Sequence, residues 1–236
     1  MTHTHVTAPT QFAEANGIRF AYRRFGKDAG VPLLFMQHFR GGMDHWDPAV
    51  TDGFAKDRPV IVFDNAGVAG SSGETPDTID AMAEYAADFV GALGPSRLDL
   101  LGFSIGGCVA RALTLRHSKV VRRLMLVGTG PRAGEPSQDP NYVLHATSTD
   151  PGTGETALEG FLYLFFSPSA RSQAAGRAFS ERRHLRKNDV DPPSLRQTMN
   201  AQLAAANEWR EVRGERLAEL KTITQPTLVV NGTTTS

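Results

Sequence analysis

Ser104 is the side chain whose surroundings point most directly to covalent chemistry. It stands in Leu98-Asp99-Leu100-Leu101-Gly102-Phe103-Ser104-Ile105-Gly106-Gly107, where a short apolar run gives way to small and aliphatic residues at helical spacing through Leu115. The serine falls where the period changes from strand to helix. Gly102 and Gly106 bracket it as G-x-S-x-G, which leaves room for a sharp turn that holds the hydroxyl out above a sheet, at a helix N-terminus. A serine presented this way is a candidate nucleophile. The plain alternative is a Gly-Ser turn of the kind that joins a strand to a helix in any α/β protein.

Other residues of chemical interest have weaker settings. Cys108 lies one helical turn beyond Ser104, inside a helix of small residues, which suits packing better than catalysis. Gly128-Thr129-Gly130 follows a strand, but Pro131 and the turn-rich sequence after it do not open the helix that a dinucleotide site needs. Gly67 to Gly73 is glycine-rich yet has no Gly-Lys-Ser/Thr to hold a phosphate. His45, His117, His145 and His184 have no acid nearby in a triad-like order, so surface or packing roles are expected. His3 and His5 sit in a polar terminus.

The elements that must position Ser104 follow from hydrophobic patterning. Gln11 to Ala15 and Ile18 to Phe25 flank Asn16-Gly17, a hairpin signal, and the second run alternates. Leu33 to Met36, Val60 to Phe63, Leu98 to Leu101 and Leu124 to Val127 are continuously apolar or nearly so, as strands buried on both faces are. Thr78 to Leu93 carries apolar residues at helical spacing, is capped by Asp77 or Thr78, and ends at Gly94-Pro95. This alternation predicts a doubly wound, mostly parallel sheet. From Ala133 to about Leu220 the buried-strand runs cease, and helical patches appear at Leu158 to Phe166 and Leu195 to Leu220. We expect a core over 1–132, an inserted helical cap over 133–220, and a return to the core over 221–236, where Thr227 to Val230 restores the strand pattern. Arg182 to Lys187, flanked by Glu181, Asp189 and Asp191, reads as a solvated face.

A chain of 236 residues can bury one good core. Its 25 basic and 25 acidic residues give a formal net charge of zero, which argues against nucleic-acid or anionic-membrane partners and favours a small, mostly apolar ligand. The single cysteine excludes an internal disulfide and a cysteine-based metal site. No cofactor and no metal are expected. The opening Met1-Thr2-His3-Thr4-His5-Val6 lacks a basic patch and apolar core, and no later apolar run reaches membrane-spanning length, so a cytoplasmic protein is expected.

Two loops and the order of the parts resemble the α/β-hydrolase superfamily, within it the esterase and cofactor-free haloperoxidase-like branch. Gln37-His38-Phe39-Arg40-Gly41-Gly42 follows the first buried parallel strand, where the superfamily has His-Gly and an oxyanion loop. Phe39 replaces that glycine, which leaves either the Phe39 or the Arg40 amide as one oxyanion donor. The resemblance makes Ile105, directly after the serine, the other donor, and His38 a structural residue beside the loop. Asp64 to Gly73 resembles a D-x-x-G-x-G-x-S bracing loop, with Ala69 where the second glycine is expected.

A serine hydrolase also needs an acid and then a histidine after the serine. The family's acid position, just beyond Val230, reads Thr233-Thr234-Thr235-Ser236, and no histidine follows the last strand. Asp139, Asp150 and Glu155 are substitute acids. The resemblance therefore implies an esterase-like serine hydrolase that lacks its last strand and helix and is inactive as it stands. The alternative is a non-catalytic sensor or carrier that binds a small apolar ligand. The ending itself is expected to be a frameshift product: deleting one G after the glycine codon of GGC GAC AAC GAC GTC ATG A yields Gly-Thr-Thr-Thr-Ser-stop.

Overall fold

In the computed structural model, residues 3–134, 139, 141–148, 155–215 and 217–232 are described. Asp150 and the terminal 233–236 lie outside them. Among the described residues seven strands form one sheet in the order β1-β2-β4-β3-β5-β6-β7. The strands are β1 (Gln11–Ala15), β2 (Ile18–Gly26), β3 (Leu33–Met36), β4 (Pro59–Phe63), β5 (Leu98–Phe103), β6 (Val121–Val127) and β7 (Thr227–Val230). The first pairings, β1 with β2 and β2 with β4, are antiparallel, and the rest are parallel.

Local chemistry explains the entrance. Asn16 and Gly17 both take positive φ, 48° and 78°, so the two-residue turn has the twist that lets Ala15 pair with Ile18. Beyond it, β3 and β4 are buried at every position, as continuously apolar runs between two helical layers must be.

Helices α1 (Pro48–Ala55), α2 (Ile79–Leu93) and α3 (Ile105–Arg116) connect the parallel strands. The Thr78 side chain caps α2 by accepting from Ala81 N, and Gly94 ends it at φ 70°. One face of the sheet packs Phe20, Leu34, Ile61, Phe63 and Leu100 against α2 and α3, with the Phe63 and Phe89 rings stacked 4.5 Å apart. The opposite face packs Phe35, Val62 and Leu101 against Trp46 and Ala55. The core is thus two apolar layers around the sheet.

Between β6 and β7 the chain forms α4 (Tyr142–Ser148), α5 (Glu155–Phe165), α6 (Ala170–Arg183) and α7 (Arg196–Trp209). The patch at 195–220 is not one helix. It ends at Trp209, Gly214 turns the chain at φ 69°, and a 3-10 turn follows at Ala218–Thr222. Helix α6 gave little sign in the sequence because eight of its fourteen residues are polar and the rest, Phe179 apart, are alanine and glycine. It is held by close contact: a Cβ on Gly176 would lie 2.3 Å from Leu162 Cδ2, and Phe161 stacks on Phe179 at 5.1 Å. Arg182 to Lys187 is a solvated face only in part: His184, Leu185 and Lys187 are exposed, but two of its arginines are engaged. Arg182 pairs with Asp47 at 2.6 Å, and Arg186, 7 % exposed, donates to the carbonyls of His5 and Val6. Arg182, in the last turn of α6, meets the cap of α1, and Arg186, in the segment after the helix, meets the N-terminal segment.

Candidate active site

Ser104 joins β5 to α3 with φ 55° and ψ −124°, a conformation that costs a non-glycine residue of order 1–3 kcal/mol and persists only when its surroundings impose it. Its surroundings do impose it. A Cβ on Gly102 would stand 2.4 Å from Gly106 O, and one on Gly106 would stand 2.2 Å from Met36 O and 2.6 Å from Gln37 O. The G-x-S-x-G spacing therefore serves a three-way backbone crossing of β5, the start of α3 and the loop after β3. Ser104 N donates to Val127 O at 3.0 Å, which fixes the turn from the other side.

The same crossing brings the loop after β3 to the first turn of α3. Ile105 opens α3, so its N–H has no acceptor within the helix. In the loop, Gly41 N donates to His38 O and Arg40 sits at φ 61°. Arg40 N–H is committed to Gln202 Oε1 of α7 at 2.6 Å, and Arg40 O accepts from Ser194 Oγ at 2.7 Å. Phe39 N–H donates to no acceptor among the described residues. Of the two amides left open by the sequence, Phe39 is the one whose N–H is not taken up. Gln202 and Ser194 gave no signal in the sequence, since their role depends on α7 folding back over the loop.

His38 is a buried imidazole. Its Nδ1 lies 2.8 Å from Phe39 O, which can only accept, so Nδ1 carries the proton and Nε2 is left as a buried acceptor without a partner. Burial lowers its pKa to about 4, and the ring is neutral at pH 7. His45 is likewise held well below its usual value by burial, and its Nδ1 accepts from Gly42 N. Behind the loop lies a cavity of about 40 Å³ lined in part by Gln37, His38, Ile105 and Gln202. The Gln37 Nε2 donor is buried there without a partner, and the space is enough for an ordered water.

The Asp64 to Gly73 loop acts as a brace. The Asp64 carboxylate accepts from Met43 N at 2.9 Å and Gly70 N at 3.0 Å, and Ser71 Oγ bridges Asp64 O to Ala21 N. Arg23, fully buried, binds Asp44 and Asp191, while Asp44 and Asp191 each accept the other's main-chain N–H. Burial and the Asp44 charge raise Asp191 to about 6. This cluster ties the segment between α6 and α7 to the end of the loop after β3.

The remaining sequence candidates lie elsewhere. Cys108 Sγ packs at 3.5 Å from Thr129 Oγ1, and burial pushes its thiol up. Thr129 fills the space beside Gly107, so the Gly-Thr-Gly turn packs on α3. His117 pairs with Glu84, and Asp139 accepts from Tyr163 Oη. Ser104 Oγ makes no hydrogen bond among the described residues, to a histidine or to anything else. Among the described residues no three of His, Cys, Asp and Glu converge as a metal site, and no helix is long and apolar enough to cross a membrane.

Comparison with known proteins bears on this geometry. A family model described as alpha/beta hydrolase fold matches residues 31–235. The chain belongs to the alpha/beta hydrolase fold family. An alpha/beta hydrolase fold protein from Chitinophaga pinensis is 37% identical, with a TM-score of 0.87, over 96% of this chain and 80% of that one. A 2-hydroxymuconate semialdehyde hydrolase of Pseudomonas sp. (strain CF600) is 34% identical over 119 residues, which are 49% of this chain and 41% of that protein. A 1-acylglycerol-3-phosphate O-acyltransferase of Rattus norvegicus is 27% identical over 129 residues, 52% of this chain and 36% of that one. The matched stretch thus spans less than half the length of these curated relatives. This hydrolase-fold chain has hydrolases among its relatives.

Proposed function

We propose that the protein is a serine hydrolase acting on an ester-like or other small, mostly apolar substrate, with Ser104 as nucleophile. The amides of Ile105 and Phe39 hold the oxyanion, while Arg40 shapes the loop and gives its own N–H to Gln202. Ser104 Oγ gives its proton to water as it attacks the carbonyl carbon, the carbonyl π pair moves to oxygen, and the return of that pair expels the leaving group, which takes up a proton from water; the acyl-enzyme so formed is cleaved by a second water to the acid and free Ser104. A small molecule, rather than nucleic acid or a membrane surface, is the partner, and the cytoplasm is the proposed location. The observation that carries this reading is the strained φ 55°, ψ −124° of Ser104 at a strand-to-helix junction.

Ser104 Oγ contacts no base among the described residues. An elbow with its oxyanion donors alone still accelerates acyl transfer by about 10³ to 10⁴ over water. A fluorophosphonate should therefore label Ser104 about a thousandfold faster than any surface serine, and Ser104→Ala should abolish the adduct seen by mass spectrometry. The missing contact also favours a second reading, a non-catalytic protein that binds a small apolar ligand in the same place. Labelling no faster at Ser104 than at other serines would sink the hydrolase and leave the binder.

A further inference from the structure

Arg183, the last residue of α6, is a half-buried guanidinium with no acid to answer it. Its Nε is sealed from solvent without an acceptor, and none of its nitrogens makes a hydrogen bond or ion pair among the described residues. The neighbouring arginines are different: Arg182 has Asp47 and Arg186 has Asp189. Asp44 is near enough for its charge to act on Arg183, but its carboxylate is already engaged by Arg23 and by Asp191 N. An Nε–H sealed from water with no acceptor has lost hydration that nothing repays.

The position of this cation relates it to Ser104. Arg183 lies over the Phe161 ring at 5.8 Å, Phe161 contacts Phe165 at 5.0 Å, and Phe165 contacts Phe103, the residue before Ser104, at 5.8 Å. His38 touches both Phe103 and Phe165, and the charge of Arg183 acts on the buried His38 and His45 rings. A chain of ring contacts thus links the residue before the candidate nucleophile to an unanswered positive charge, beside two neutral imidazoles.

We propose that Arg183 binds the free carboxylate of the substrate, so that the molecule cleaved is an apolar, aromatic-compatible ester or related compound carrying one carboxylate at its far end. This rests on the serine-hydrolase reading for which end is cleaved. A guanidinium presents a planar fork that matches a carboxylate, and one unpaired cation balances one negative charge rather than the two of a phosphate monoester. The acidic neighbours Asp44, Asp191 and Asp47 are held by Arg23 and Arg182 and so do not compete for it.

The test uses phenylacetate and its neutral counterpart phenylacetamide, titrated calorimetrically in the millimolar range at pH 7. The wild-type chain should bind phenylacetate at least about tenfold more tightly, Arg183→Gln should bind the two alike, and Arg183→Lys should keep part of the preference. Arg183→Gln should melt no lower than wild type, since it removes a half-buried charge that no acid answers. Equal binding of both compounds by wild type, no binding of phenylacetate, or a preference that survives Arg183→Gln would each overturn the proposal, and so would a lowered melting temperature with the preference intact. Fluorophosphonate labelling of Ser104 is measured in parallel. A carboxylate preference without labelling retains the anion site and rejects the hydrolase, whereas selective labelling without a preference does the reverse.

Discussion

Gly106 and Gly91 show how differently one residue type can act in this chain. A Cβ at 106 would meet two main-chain carbonyls at 2.2 and 2.6 Å, and neither can yield without moving β3. Gly106→Ala should cost at least about 3 kcal/mol, in the upper range for overpacking, and should slow labelling of Ser104 by displacing the loop. Gly91 lies inside α2 with nothing within 4 Å of a Cβ. Gly91→Ala should therefore stabilise by about 0.5–1 kcal/mol through helix propensity. Urea unfolding of both variants checks the pair, and equal effects would mean that the backbone crossing at Gly106 is wrong.

Helix α7 decides which amide of the loop after β3 is available. Gln202 takes Arg40 N–H, Ser194 just before the helix takes Arg40 O, and Gln197 bonds to Thr75 N and O. The segment between α6 and α7 adds the Asp44–Asp191 exchange around Arg23. One strap therefore holds the loop at several points along its length. Gln202→Ala would leave Arg40 N–H without its acceptor, at a cost of about 1–3 kcal/mol in stability. Labelling of Ser104 should slow as the loop loosens, while Gln202→Glu, which keeps an acceptor, should restore much of the rate. A labelling rate unchanged in Gln202→Ala would show that α7 does not position the loop.

On the scale of the molecule, the sheet has one well-covered middle and one bare side. Among the described residues β7 pairs only with β6 and is exposed at all four positions, with Leu228 54 %, Val229 58 % and Val230 45 % exposed. An apolar edge strand with free N–H and C=O groups is a template for pairing with another chain. The protein should self-associate with rising concentration, seen as a growing weight-average mass in sedimentation equilibrium. Val229→Lys should shift the chain toward monomer without lowering its melting temperature. A wild-type protein that stays monomeric at all concentrations would contradict this. At the other end of the strands, the buried Asp99 holds Arg58 and Arg122 at 2.6 and 2.8 Å and needs no further partner.

The sequence by itself determined the elements whose cause is local. Asn16-Gly17 can only turn as it does because both residues tolerate positive φ, the apolar runs of β3 and β4 can only be buried on both faces, and Gly102 and Gly106 announce the crossing around Ser104. What tertiary structure alone decided depends on partners distant in the chain. Helix α6 packs against Leu162 and Phe166, Arg182 pairs with Asp47, Arg186 loses its solvent to the N-terminal segment, and Arg183 is left half-buried without an acid. The choice between the Phe39 and Arg40 amides was likewise closed to sequence. A backbone N–H carries no sequence signature, and its availability was set by Gln202, 162 positions further along the chain.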